Sequence, residues 1–356
     1  MKVLRFSWKN FRNLCEGELL PCPSGNVICG DNAQGKTNLL EGMWLFTGER
    51  SFRGAKDGDL VRKGAPCAET GLSFYADGRE QSAKIRVESG RRFPELNGVP
   101  KKSCAAIIGA FRAAVFSPEH LALLSGGPAG RRNFVDAALC QIRPSCAGIV
   151  AEYNRCLAER NALLKDIPEH TELLDTLPIW DSRLARAGQR LMGFRKSYLQ
   201  KFGPIAASFY SGMCGGKETL ELSYETGTED LEKELERTRK TDLALGHTST
   251  GPHRDDIAVK ITGLDARAFG SQGQKRSAVI AMKLAEAELL GKETGEMPVI
   301  FLDDVLSELD AGRRDYLVNQ IGRFQVFITC CESEISRMPK SGAVFSVKNG
   351  VPVQIR

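Results

Sequence analysis

Residues 27–42 read VICGDNAQGKTNLLEG, an apolar run, a glycine-bearing turn and then helix-forming leucines. In the pattern G-x-x-x-x-G-K-[ST], glycines let backbone N–H groups converge on phosphate oxygens. The lysine adds a point charge for the β and γ phosphates, and the hydroxyl offers a ligand to magnesium. Gly30, Asp31, Asn32, Ala33, Gln34, Gly35, Lys36 and Thr37 occupy that pattern, which predicts a cradle for ATP with Mg2+. NVICG predicts the strand that must precede the loop. TNLLEGMWLF predicts the helix that must follow, with Leu40, Trp44 and Thr47 on one face and its positive dipole end aimed at the anion. A strand, a phosphate loop and a helix in this order commit the chain to an α/β fold.

Composition narrows the class. No run of about 18 apolar residues is present to span a bilayer, and the start, MKVLRFSWKNFRNL, lacks a basic segment followed by an apolar one, so a cytoplasmic protein without a membrane partner is expected. Eleven cysteines without a C-x-x-C spacing, and only four histidines, argue against zinc or a disulfide framework. Settings such as VIC, AALCQI and FITCC predict buried thiols for most of them, the vicinal Cys330 and Cys331 included. A net charge of +5 permits a polyanionic partner without requiring one.

Short alternating runs, VLRFSWKNF, GLSFYADG and AKIRVESG, predict strands in the first 120 residues, with a hairpin turn at ADGRE. From about residue 145 the period becomes helical: Cys146, Val150, Tyr153 and Leu157 step by 4, 3 and 4. After the break at DIPEHTELLDTLP, a second series runs through Trp180, Leu184, Ala187, Leu191, Phe194 and Tyr198. These predict a short antiparallel helical arm, followed by a charged helix in GTEDLEKELERTRKTDLAL. MPVIFLDD and RFQVFITCC then predict strands buried on both faces of a sheet. Sheet-rich ends enclosing a helical middle divide the chain into a head at 1–120, a helical lobe at 121–240 and the rest of the head at 241–356.

A phosphate loop needs a carboxylate on the metal side and a group that handles water. FLDD places Asp303 for the first role and Asp304 for the second, with SELD directly after. A third element, FGSQGQKRSAVIAMKLAEAELL, puts Ser271, Gln272, Gly273, Gln274 and Lys275 at a second helix N-terminus. One nucleotide does not need two such cradles in one subunit. Ser271 and its neighbours are therefore expected to cap the γ-phosphate held by a second copy, against the plainer reading of a capped core helix.

GDNAQGKTN, then SQGQKRS, then FLDDVLSELD resembles the ATP-binding-cassette heads of SMC-like DNA repair ATPases, and specifically the RecF family. NFRNL, SPEHLALLSGGPAGRRNFVDAAL and GPHRDDI sharpen the likeness, which runs over essentially the whole chain. It implies an ABC/SMC-like P-loop ATPase head with an inserted helical lobe, acting as a weak ATPase that DNA stimulates. It further implies ATP-dependent homodimerisation, binding to double-stranded DNA near gaps, and help to RecO and RecR in loading RecA, with roles in replication maintenance and SOS induction. By position, Thr37 and Asp303 fall on the metal side, Lys36 and Asp304 at the catalytic positions, and Ser271 to Lys275 on the signature donated in trans; Arg12 and Asn13 match the base side. The signature reads SQGQ rather than SGGQ, and no histidine follows VFIT, which leaves Thr329 to share the γ-phosphate sensor role. Pro118 and Glu119 stand where many cassettes carry a glutamine.

Between Ser182 and Lys217 there is no acidic residue, and Arg183, Arg186 and Arg190 step by 3 and 4 along one helix flank. With Arg195 and Lys196 they form a candidate phosphate-tracking stripe for duplex DNA, set against an ordinary solvated face. Arg131 and Arg132 suit a lobe junction equally well, and His253 suits a structural hydrogen bond. No zinc finger or aromatic platform predicts base reading. The alternatives are a transporter ATPase, a small-molecule P-loop kinase and an SMC-like head with a structural role.

Overall fold

The computed structural model describes residues 1–331 and 342–356. Along the chain, Lys2–Phe11 (β1) and Leu14–Leu19 (β2) make a hairpin, Gly25–Cys29 (β3) enters the phosphate loop, and Lys36–Trp44 (α1) leaves it. Cys67–Ala76 (β4), Arg79–Glu88 (β5), Arg91–Leu96 (β6) and Val99–Pro100 (β7) follow, then Ala113–Phe116 (β8). The helices Pro118–Leu121 (α2), Pro128–Ile142 (α3), Ser145–Asp166 (α4) and Leu177–Met213 (α5) lead to Leu220–Glu225 (β9) and Leu231–Leu245 (α6). Asp256–Ile261 (β10), Leu264–Asp265 (β11), Ala266–Phe269 (α7), Gln272–Thr294 (α8), Val299–Leu302 (β12), Ala311–Ile321 (α9), Val326–Cys330 (β13), Ala343–Lys348 (β14) and Val351–Gln354 (β15) complete it.

Among the described residues three sheets result. The central one has the order β15-β14-β3-β13-β12-β8 and is parallel except for β15. All four residues of β8 and β12 and all five of β13 are buried, as strands covered on both faces must be. The second sheet, β2-β1-β4-β5-β6-β7, is antiparallel, and the third is the small sheet β11-β10-β9. One core joins the antiparallel sheet, α1 and one face of the central sheet. A Cβ on Gly42 would sit 2.6 Å from the Phe6 ring, so only glycine lets α1 lie this close to β1. The other face of the central sheet packs on α8 and α9.

The arm is α4 against α5. Arg160 bonds Asp181 while Tyr153 lies against Gly188, so the two helices run antiparallel. At 37 residues α5 spans about 55 Å, longer than a short arm implies, because it continues through Pro204 and its inner half packs on α8. Arg160, with no exposed surface, donates to Asp181 (2.7 Å), Asp242 (2.8 Å) and Thr248 (2.8 Å), fastening α4, α5 and α6. Such a guanidinium is stable only because its partners neutralise it.

At the arm's root, Arg131 grips Asp256 with both arms of its fork (2.8 and 2.7 Å) and Arg132 donates to the Asp255 carbonyl, so these two arginines brace the lobes. His253 bonds the Tyr153 hydroxyl at 2.7 Å and the Thr248 carbonyl at 3.1 Å, which is the structural role expected of it. Of the cysteines, Cys29, Cys140, Cys146, Cys156 and Cys330 are buried, fewer than the apolar settings suggest, and Cys15 is exposed. Among the described residues no helix is long and apolar enough to cross a membrane.

Candidate nucleotide site

The end of β3 delivers the loop. Gly30 and Gly35 sit at φ 151° and 109°, and a Cβ on Gly30 would fall 2.5 Å from the Val347 carbonyl oxygen, so the turn closes directly against β14. The turn between β14 and β15 grips the loop from the same side: the Asn349 and Gly350 amides donate to the side chain and the carbonyl of Gln34 (2.6 and 3.1 Å). Asn13 donates to the Ala33 carbonyl at 3.0 Å, and Arg12 is held by both oxygens of buried Glu41, so its charge is neutralised within the chain.

Lys36 is buried at the head of α1, and its Nζ donates to the carbonyls of Gly30 (2.6 Å) and Asp31 (3.2 Å). The ammonium is thus stationed inside the loop. Thr37 Oγ1 donates to Asp303 Oδ1 at 2.7 Å, joining the phosphate loop to the end of β12. A hydroxyl beside a carboxylate is an oxygen donor pair of the kind Mg2+ takes.

Asp303 is buried and its carboxyl is raised to about 6, above all by burial; the Thr37 and Thr329 hydroxyls oppose the shift and the charges of Asp304 and Glu119 add to it. A carboxyl whose folded value exceeds its unfolded value of 3.8 lends stability at low pH and loses it as pH rises through about 6. Asp303→Asn is therefore expected to raise the melting temperature of the nucleotide-free protein at pH 7.5, by roughly 2–3 kcal/mol of stability, with the gain fading below about pH 4. Both hydroxyls land on Oδ1, so the amide oxygen still accepts there. Thermal melts across pH check the sign.

Asp304 adopts φ 52°, unusual for a residue with a side chain. Its amide donates to Thr329 Oγ1 at 2.9 Å, and Ser307 Oγ donates to its carbonyl at 2.7 Å. Glu119 opens α2 just after β8, the strand beside β12, and its charge reaches Asp303. The sequence carried a signal for it, since AAVFSPEH repeats the pattern of FLDD: a buried apolar run, then a polar exit at the same edge of the sheet.

Ser271 caps α8. Its Oγ accepts from the Gln274 amide at 3.2 Å, and the Gln274 side chain accepts from the Ser271 amide at 2.8 Å. Gln274 also donates to Glu218 and Lys275 to the Arg267 carbonyl, while Ser271 and Gln272 are exposed and Gly273 is half-buried. Among the described residues no hydrogen bond links Ser271–Lys275 to the loop at 30–37 of the same chain. Arg276 ties the helix instead to Glu308 in the SELD segment.

The basic stripe divides. Arg186 and Arg190 are exposed, and Arg183 lies 4.9 Å over the Trp180 ring. Arg195 is buried, paired with Asp136 through two bonds of 2.8 Å and donating to the Pro252 carbonyl, so its charge serves the junction and not the surface. Lys196 is exposed beside Glu229 at 3.3 Å. A concavity of about 860 Å³ on the outer face of the antiparallel sheet is lined by alternating charges such as Lys9, Glu69 and Lys84 and by none of the loop residues.

The chain is 38% identical over 333 residues to the DNA replication and repair protein RecF of Agathobacter rectalis, covering 93% of this chain and 92% of that one. It is 36% identical over 352 residues to RecF of Acetivibrio thermocellus, covering 94% of each. The chain belongs to the RecF family. A solved structure of the recombination mediator protein RecF-ATP in the RecFOR pathway matches it with a TM-score of 0.93 at 35% identity, covering 100% of this chain and 98% of that RecF chain. An Smc head domain from Pyrococcus furiosus shares the fold, with a TM-score of 0.58 at 14% identity, covering 99% and 96%. The RecF architecture is thus an ABC/SMC-like ATPase head with a helical lobe. No protein-family model matches the chain.

Proposed function

We propose that this chain is an ATP-gated DNA clamp of recombinational repair. The observation that carries the reading is the contrast between two helix starts: Thr37 is already joined to Asp303, whereas Ser271 and Gln272 are exposed and, among the described residues, Ser271–Lys275 has no hydrogen bond to its own loop. ATP with Mg2+ binds at Gly30–Thr37 and Asp303 of one protomer and is capped by Ser271–Lys275 of another. The homodimer closes on duplex DNA near a single-strand gap, and slow hydrolysis, handled by Asp304 and stimulated by DNA, releases it. RecR, with RecO, then acts in RecA loading. Nucleotide stabilises the closed pair only because it contacts that state better than the open one. The division into head (1–120 and 241–356) and lobe (121–240) gives closure its lever, as α8 packs on both the arm and the central sheet.

DNA recognition rests on Arg186 and Arg190, with Arg183 and Lys196 flanking them. The double variant Arg186→Ala/Arg190→Ala is expected to reduce the slope of log affinity against log salt by about 2, one for each phosphate left without its arginine, alike for all sequences. Fluorescence anisotropy on a gapped duplex at several salt concentrations checks this. Sedimentation with ATP, Mg2+ and that duplex tests the whole reading; a chain that stays monomeric with all three present overturns it.

A further inference from the structure

We infer that Thr329 is a positioning residue for ATP hydrolysis, a single hydroxyl that sets the metal-side and water-side carboxylates relative to each other. The inference rests on the proposed roles of Asp303 and Asp304.

The sheet order places β13 between β3 and β12, so the residue near its end lies between the phosphate loop and the two carboxylates. Thr329 is that residue, and it is buried. Its hydroxyl has one proton, donated to Asp303 Oδ1 at 2.9 Å; a lone pair of the same oxygen accepts the Asp304 amide at 2.9 Å. The two other approaches, to the Leu302 carbonyl at 3.5 Å and Asp304 Oδ1 at 3.4 Å, are too long to compete. Both strong bonds are therefore used on the carboxylate pair, and none reaches the loop at 30–37. A phosphate sensor would have to point at phosphate. This hydroxyl points at the groups that handle metal and water.

The bond to the Asp304 amide matters because Asp304 is held at φ 52°. A side-chain-bearing residue stays in that region only where its surroundings fix it. Thr329 fixes the amide side and Ser307 the carbonyl side, so the direction in which the Asp304 carboxylate leaves the backbone is determined by these two hydroxyls. Removal of the Thr329 hydroxyl frees one of them. Nucleotide affinity should be spared, since the Lys36 bonds lie wholly within the loop and Thr37 still donates to Asp303 Oδ1 when the Thr329 hydroxyl, which shares that acceptor, is gone.

The test uses the full chain with Thr329→Val, which keeps the shape and loses the hydroxyl, and Thr329→Ser, which keeps the hydroxyl; Thr329→Ala replaces the valine variant should that one not fold. Dissociation constants for ATP and steady-state hydrolysis rates are measured in parallel, alone and on an Asp304→Asn background. The expected result is a kcat at least tenfold lower for Thr329→Val with the ATP Kd within twofold of native, recovery to within threefold in Thr329→Ser, and no further loss when Thr329→Val is added to Asp304→Asn. A native kcat in Thr329→Val overturns the inference, as does an equal defect in Thr329→Ser, a parallel loss of affinity, or a full multiplicative loss in the double variant. If Asp304→Asn itself hydrolyses ATP normally, the functional reading falls with it; if Asp304→Asn is defective and Thr329→Val is not, only the role of Thr329 falls.

Discussion

Replacing Lys36 with alanine is expected to lower ATP affinity by about 100-fold or more and to leave the protein monomeric with nucleotide present. A charge-assisted bond to phosphate is worth more than a neutral one, and roughly 3 kcal/mol corresponds to two decades of affinity. Lys36 also holds the carbonyls of Gly30 and Asp31, so its loss leaves those two acceptors inside the loop without their ammonium and loosens the cradle as well as discharging it. Both effects act in one direction. Titration calorimetry with ATP and sedimentation with and without nucleotide separate loss of binding from loss of dimerisation. Native ATP affinity in this variant would remove the loop at 30–37 from the nucleotide site.

Asp304→Asn is expected to act in the opposite sense: turnover falls by about 10²–10⁴-fold, the range attributable to a general base or water-orienting group, while the ATP-bound dimer persists. The substitution is clean for a structural reason. Asn is among the few side chains that tolerate the left-handed region, so the φ of 52° survives. The bonds from Thr329 and Ser307 go to the backbone of residue 304 and survive too. What changes is the charge and basicity of one carboxylate. Accumulation of dimer under ATP, with phosphate release nearly abolished, is the signature to measure; a dimer that dissociates at the native rate counts against hydrolysis as the release step.

The parts of the site that were legible in the sequence are those set by local pattern. The strand-loop-helix at 25–44 and the strand at 299–302 ending in Asp303 follow from apolar runs meeting polar exits, and the structure places Thr37 on Asp303. Less legible was anything decided by which strand lies beside which. The resemblance gives Thr329 a share of the γ-phosphate sensor role, because no histidine follows VFIT; its bonds to both aspartates depend on β13 lying between β3 and β12, which no local pattern shows. Arg195 looked like part of a basic surface. It follows Leu191 by four residues and precedes Tyr198 by three, the same spacing as the apolar seam, and it is buried while Phe194 is only partly so. That placement requires Asp136, which lies 59 residues away in sequence and becomes a neighbour only through α3.

The strand that carries the phosphate loop has a consequence for how the protein is made. β3 is flanked by β13 and β14, so residues 25–29 have neither neighbour until residues 326–348 have been synthesised; Asn26 and Val326, bonded in the fold, are 300 residues apart. Pairings of such sequence separation form late because the chain entropy of closing them must be met first. On the ribosome, the antiparallel sheet and the arm have their partners in hand well before the central sheet does. A nascent or truncated chain that stops short of β13 and β14 therefore lacks both strands that flank the loop at 30–37, however well its arm is folded.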